Sequence, residues 1–184
     1  VMEKEINGAE KIRFGKVLFV LGGVKPEEHI DLLNSRKDAE VLTCGLFGQA
    51  CAIASGYNLG KQNKILKKKI NVGKKLTKLI GKIDLHVPTD FAVDNNGRRE
   101  EIDLEDFPSK HEIFDIGERT VSKYSRKIKK ARTVLMKGPA GRYEDKRFME
   151  GTKDLLNAMV ESKGYTIIAG GNTLSAMKHL NISK

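Results

Sequence analysis

Three stretches of this chain place glycine where an apolar, β-branched run stops: KVLFVLGGVKP at 16–26, ARTVLMKGPAGRYE at 131–144 and GYTIIAGGNT at 164–173. A buried strand that ends in glycine and then enters a helix brings bare backbone amides up to whatever lies beyond the strand. The helix N-terminus adds a positive dipole end, and the combination suits phosphate. In the first stretch two glycines, Gly22 and Gly23, are followed closely by Lys25. In the third, Gly170 and Gly171 run into Asn172 and Thr173, a polar helix start. Three such turns in one domain predict a nucleotide site at the carboxyl edge of a parallel sheet.

The elements that must position these turns alternate along the chain. Residues 2–12 read as an amphipathic helix with Met2, Ile6, Ala9 and Ile12 on one side. A strand at 16–21 leads to Pro26, which suits a first helical turn, and to a short helix at 27–34. A second strand at 40–44 precedes a helix of small residues from 45, with Gly56 as its C-cap. Segment 61–82 holds nine lysines and reads as one helix, with Ile65, Leu66, Ile70, Leu76, Leu79, Ile80 and Ile83 on one stripe. A strand at 83–87 closes at Pro88, and the polar stretch 94–110 reads as an excursion with a short strand or hairpin. A short strand at 111–116, a helix at 118–130, a strand at 133–136, a helix at 145–162, a strand at 166–169 and a helix at 173–180 complete the order. Strands alternating with helices predict an α/β fold: a three-layer, Rossmann-like domain over residues 1–184, with a mostly parallel sheet and helices on both faces.

Composition narrows the function. With 39% hydrophobic and 32% charged residues the chain is expected to be soluble and globular, and no apolar run is long enough to span a membrane. Cys44 and Cys51 make no disulfide scaffold, so both are expected to be buried small hydrophobes in a cytoplasmic protein. His29, His86, His111 and His179 show no zinc spacing, and no protein-held metal is expected. The net charge of +10 is concentrated in the lysine segment, which has no aromatic interleaving. It reads as a solvated face, with neither nucleic acid nor membrane as a partner.

The common nucleotide fingerprints are missing. There is no GxGxxG, and GYNLGKQ at 56–62 fails as a Walker loop because Ser55 stands for its first glycine and Gln62 for its Ser or Thr. The ordered set LGGVKP, KGPAGRYE and AGGNT, with the opening MEKEI, PTDF at 88–91, DIGERT at 115–120 and FMEGT at 148–152, resembles instead the C-terminal, nucleotide-binding domain of phosphoglycerate kinases, in wording closer to archaeal members. The likeness runs from Met2 to about Met177.

The resemblance implies reversible phosphoryl transfer between 1,3-bisphosphoglycerate and ADP, giving 3-phosphoglycerate and ATP with Mg2+, in glycolysis and gluconeogenesis. It also implies that this chain is the nucleotide-binding half of a two-domain, hinged kinase. The N-terminal domain that binds 3-phosphoglycerate and the family's last C-terminal segment are missing from the sequence, so the chain alone is expected to be inactive. The other readings are a different α/β nucleotide or dinucleotide enzyme and a basic non-enzymatic module.

By the same resemblance Lys25 matches the lysine that contacts the phosphoryl group in flight; its alternative is an exposed turn lysine. His29 stands where the family often has a second lysine. Gly22, Gly23 and Gly45 match glycines on the nucleotide side, or serve turn geometry. Phe114 falls near the adenine-contacting segment, with Ile113 in place of a family glycine. Pro139 matches the proline of its loop, and Glu144 the glutamate that binds the ribose hydroxyls, or it is an acid favouring a helix N-terminus. Lys137 replaces a usual Asn and either adds a phosphate contact or marks divergence. Gly170, Gly171 and Thr173 match the turn that cradles the phosphates, with Thr173 adding a hydroxyl. Asn172 replaces the usual Asp near magnesium, so the metal is expected to be held mainly by phosphates and water.

Overall fold

The computed structural model describes residues 16–36, 38–69 and 73–183; the helix expected at 2–12 lies outside them. In chain order the elements are β1 Leu18–Leu21, α1 Pro26–Asn34, β2 Glu40–Thr43, α2 Gly45–Ala54, α3 Lys61–Lys69, α4 Gly73–Leu79, β3 Asp84–His86, β4 Asp90–Asn95, β5 Arg98–Asp103, a 3-10 turn Leu104–Asp106, β6 Glu112–Ile116, α5 Glu118–Lys130, β7 Thr133–Lys137, α6 Glu150–Glu161, β8 Tyr165–Ala169 and α7 Gly171–His179. β3, β2, β1, β7 and β8 lie in that order in one wholly parallel sheet. β1 is its centre and is buried throughout, which is why LFVL reads as a continuous apolar run. Leu18 and Val20 face one core, with Tyr124, Ile128, Leu155 and Met159 of α5 and α6. Phe19 and Leu21 face the other, with Ile30, Leu33, Phe47, Leu76 and Leu79 of α1, α2 and α4. The expected three layers are present.

Three features differ from the sequence expectation. First, β4, β5 and β6 form a separate antiparallel sheet in the order β5-β4-β6. The excursion is a hairpin, with Asn96 and Gly97 both at positive φ (51° and 85°) between the paired Asn95 and Arg98, the two-residue turn that an Asn-Gly pair favours. β4 escaped the sequence reading because its apolar start, Phe91 to Val93, is short and follows a proline. Second, the lysine segment is two helices, α3 and α4. Leu66, Leu76 and Leu79 are buried as expected, while Lys61, Lys64, Lys67, Lys74, Lys75, Lys78 and Lys82 are exposed. α6 also starts later than expected, at Glu150, because 145–149 form turns.

Buried polar contacts join the second sheet to the rest. Asp90 of β4 accepts from the amides of Arg119 and Thr120 at 2.9 and 2.8 Å, and so caps α5 from outside that helix. Asp115 of β6 accepts from the Gly151 amide of α6 at 2.8 Å and from Arg99 Nη1 of β5 at 3.1 Å. Burial pushes Asp115 up to about 7, against the opposing pull of the Gly151 amide and Arg99. An acid with a raised folded pKa keeps its proton more tightly when folded, so its ionised form opposes folding as pH rises. Arg99→Met removes a group that favours the carboxylate. The variant is expected to lose about 2–4 kcal/mol in urea unfolding at about pH 8 and much less at about pH 5, where Asp115 carries a proton. An equal loss at both pH values would contradict this role for Arg99.

Candidate functional site

The strand order changes direction at β1: the chain steps outward to β2 and β3, then returns to the other side as β7 and β8. Ligands of open α/β sheets sit beyond the carboxyl ends at such a switch point. Here the ends of β1, β2 and β7 are stitched to one another. The Gly22 amide donates to Lys137 O at 2.9 Å, Gly23 N to Pro139 O at 2.8 Å and Gly45 N to Ala140 O at 3.0 Å. A Cβ on Gly22 would lie 2.4 Å from Pro139 O, one on Gly138 2.2 Å from Gly22 O, and one on Gly45 2.6 Å from Gly23 N. These glycines are therefore set by loop-to-loop contact.

That changes the expectation of bare amides. The amides of Ala140 and Gly141 are also taken, both by Thr152 Oγ1 at 3.0 and 3.1 Å. Gly138 N donates to Thr173 Oγ1 at 2.7 Å, and that hydroxyl donates to Ala169 O at 2.8 Å. Thr173 is fully buried and its hydroxyl ties β8 to the β7 turn, so it has no proton to offer a phosphate. The first-turn amides of α7 have no such partner among the described residues; the helix's own ladder begins with Leu174 N on Gly170 O at 3.1 Å. Gly171 and Asn172 are exposed, and a Cβ on Gly171 would meet nothing within 4 Å.

Two cavities flank the stitched turns and share Gly23 and Val24. One, of about 220 Å³, gathers Lys25, Glu28, His29, Lys137, Gly138 and the start of α7 from Gly170 to Thr173. The other, of about 180 Å³, is walled by Gly45, Leu46, Ile65, Ile113, Phe114 and Pro139, with Gln49, Gln62 and Arg142 among its polar groups. A cationic basin thus adjoins a largely apolar slot, the arrangement that a base and its phosphates need.

Most of the expected site residues come together here. Lys25 points outward with 70% of its side chain exposed, 3.4 Å from Glu28 Oε1. His29 is 2% exposed and donates through Nε2 to Gly22 O at 2.7 Å. Burial holds its pKa below the usual value, so it is a neutral brace for the glycine turn and supplies no second positive contact. Phe114 lines the slot, but Arg142 lies 3.5 Å over its ring centre and Phe148 packs edge-on at 5.1 Å. The guanidinium therefore covers one face of that ring. Ile113 lines the slot as expected. Glu144 is not brought in: it is exposed and lines neither cavity.

Sequence reading missed Gln49, Gln62, Arg142 and Glu28. Gln62 Nε2 donates to Gln49 Oε1 at 2.6 Å and Ile113 N to Gln62 Oε1 at 3.4 Å, so the pair locks α2, α3 and β6 around the slot. The signal was available, because Gln49 is a lone amide in the otherwise apolar helix GLFGQACAIA. Cys44 and Cys51 are buried and free, and burial drives both thiols far up, as expected of inert small hydrophobes.

The donor set of the basin bears on magnesium. The one carboxylate of the basin, Glu28, is paired with two lysines, and Asn172 offers only an amide. Among the described residues the metal-like grouping is Glu40, Asp84 and His86, on β2 and β3 and outside both cavities. The basin does not fit a magnesium held by protein carboxylates.

Comparison with known proteins places the chain in a family. The phosphoglycerate kinase family model matches residues 1–184. The phosphoglycerate kinase of Methanothermus fervidus is 36% identical over 196 aligned residues, covering 100% of this chain and 47% of that protein. That of Sulfolobus acidocaldarius is 35% identical, again over 100% and 47%. The crystal structure of phosphoglycerate kinase from Pyrococcus horikoshii superposes with a TM-score of 0.87 at 31% identity, over 97% of this chain and 48% of that one. The chain belongs to the phosphoglycerate kinase family, and it spans about half the length of the curated relatives it matches.

The glycines divide into two kinds, and substitution separates them. Gly138→Ala, at φ 90° and against the Gly22 carbonyl, is expected to cost about 3 kcal/mol of stability. Gly171→Ala should change stability by less than about 0.5 kcal/mol while weakening any ligand seated on α7. Chemical denaturation of both variants checks the contrast, and a large loss for Gly171→Ala would remove it.

Proposed function

We propose that this chain is the nucleotide-binding half of a two-domain phosphoglycerate kinase, a domain over residues 1–184 that takes ADP or ATP in the paired cavities. Its full reaction would be phosphoryl transfer between 1,3-bisphosphoglycerate and ADP, giving 3-phosphoglycerate and ATP in glycolysis or gluconeogenesis. The observation that carries the reading is the juxtaposition at the switch point: a largely apolar slot adjoining a basin where two lysines meet the first-turn amides of α7.

The chemistry asks little acid–base work of the protein. The attacking atom is a carboxylate or phosphate oxygen, so no general base is required, and the barrier is lowered by alignment and by charge on the equatorial oxygens. Gly22, Gly23, Gly45 and Pro139 shape the floor, because a side chain on Gly22 or Gly45 would strike the backbone of the neighbouring turn and force the strand ends apart. The α7 amides at Gly171 and Asn172 would receive phosphate oxygens. Lys25 is the residue that would follow the migrating group, because it leaves the turn toward solvent at the sheet edge. In water its charge is weakly felt, and enclosure by a second domain would strengthen it. Val24 and Leu174, exposed at 58% and 48%, give the rim an apolar surface suited to such closure. Glu144 would reach a ribose only after moving, since it lines neither cavity.

Mg2+, as the companion of the nucleotide, would be carried by phosphate oxygens and water, with Asn172 beside it. Two free buried thiols suit the cytoplasm. No helix among the described residues is long and apolar enough to cross a membrane, and Lys61, Lys64, Lys67, Lys74, Lys75 and Lys78 of α3 and α4 are exposed to solvent, so neither membrane nor nucleic acid is proposed as a partner.

Two measurements test the reading. By calorimetry the chain alone should bind ADP and ATP weakly, in preference to NAD, and a coupled assay should show no kinase turnover. Preference for NAD, or ordinary kinase rates from this chain, would overturn it. Asn172→Asp should raise the apparent magnesium affinity of the ATP complex several-fold by adding a charged ligand; an unchanged affinity would contradict the placement of Asn172.

A further inference from the structure

Lys137 ends β7, and its side chain crosses the β8 turn, with Cγ 3.6 Å from where a Cβ on Gly170 would be. Its Nζ lies 2.8 Å from Glu28 Oε2, while Lys25 Nζ lies 3.4 Å from Glu28 Oε1. Two ammonium groups from different elements therefore converge on the two oxygens of one carboxylate. Glu28 stands in the first turn of α1, inside the basin that also holds the α7 amides. The Lys137 ammonium, followed by that of Lys25, holds the Glu28 carboxyl below its usual pKa. His29, the next residue, is buried and braces Gly22, so it cannot serve as a cation here.

Exposed ion pairs of this kind contribute little to stability. Their geometry says more about binding. A carboxylate with a lysine on each oxygen is held as a phosphate group would be, with one positive charge left uncompensated. We propose that Glu28 is a resident anion occupying the polyphosphate position, and that Lys137 is the second phosphate-binding cation of this chain, the role His29 cannot fill. A nucleotide polyphosphate would displace Glu28, inherit both lysines and gain the α7 amides, contacts that a single carboxylate on α1 does not make. The proposal rests on the nucleotide reading above and assigns a function to two residues beyond it.

The test is calorimetric titration of the whole chain with ATP, ADP and adenosine. Lys137→Met should weaken ATP by about tenfold or more through loss of a charged contact, and leave adenosine unchanged. Lys137→Arg should retain most of the ATP affinity. Glu28→Gln should bind ATP several-fold more tightly than the parent chain, because the neutral amide carries no charge to compete for the two lysines. Lys137→Met binding ATP like the parent, losing adenosine in equal measure, or Glu28→Gln weakening ATP would each overturn the inference. If neither the parent nor Glu28→Gln binds any adenine compound, the nucleotide reading fails with it; ATP binding indifferent to Lys137 removes this inference alone.

Discussion

The amides of Gly22 and Gly23 reach across to the carbonyls of Lys137 and Pro139, and Gly45 does the same to Ala140. This stitch fixes the spacing of three strand ends with no side chain between them. A Cβ at Gly22, Gly45 or Gly138 would fall 2.2 to 2.6 Å from a backbone atom of a neighbouring turn. The two cavities exist because these turns are drawn together and their flanks are left open. His29 supports the same place from beneath through the Gly22 carbonyl, and Thr173 from the side through the Gly138 amide. Moving one of these groups moves the floor of the site.

A second layer of contacts holds the stitch to the rest of the molecule. Thr152 accepts from Ala140 and Gly141, and the Gly151 amide beside it donates to Asp115. Asp115 is bonded to Arg99 of the antiparallel sheet, and Asp90 of that sheet caps α5. Cβ atoms on Gly141 and Gly151 would each lie 2.2 Å from Asp115 Oδ1, and one on Gly117 2.3 Å from the Asp90 carboxyl. The segments PTDF, DIGERT and FMEGT thus meet through their acids, glycines and threonines as one buried polar framework. Such a framework is favourable when every member is satisfied, and leaving a buried charge unpaired is costly.

Charge is divided by location. Lys61, Lys64, Lys67, Lys74, Lys75 and Lys78 of α3 and α4, a large part of the +10 excess, stand in solvent and define no ligand. Two lysines that contribute far less to the total, Lys25 and Lys137, converge on Glu28 beside a helix N-terminus. Net charge is therefore a poor guide to where an anion binds here, and convergence is the better one.

The amino-acid sequence by itself determined the parallel core and which glycine turns stand at the ends of its strands. Apolar runs that stop at glycine can be little else than buried strands feeding turns, and the ordered motifs carried the family. Burial of Cys44 and Cys51, solvation of the lysines and the placing of Gly22, Lys25, Pro139 and Gly171 around one trough were legible for the same local reasons. The tertiary structure alone decided which glycine amides were free, that Thr173 spends its hydroxyl on Ala169, that His29 is a buried neutral brace, that Glu144 stands apart, and that Glu28 bridges two lysines. Each of these is a partnership between residues far apart in the chain. A hydrogen bond or ion pair is set by distances of a few ångströms in the folded molecule, and spacing along a strand or helix fixes only the neighbours of the same element.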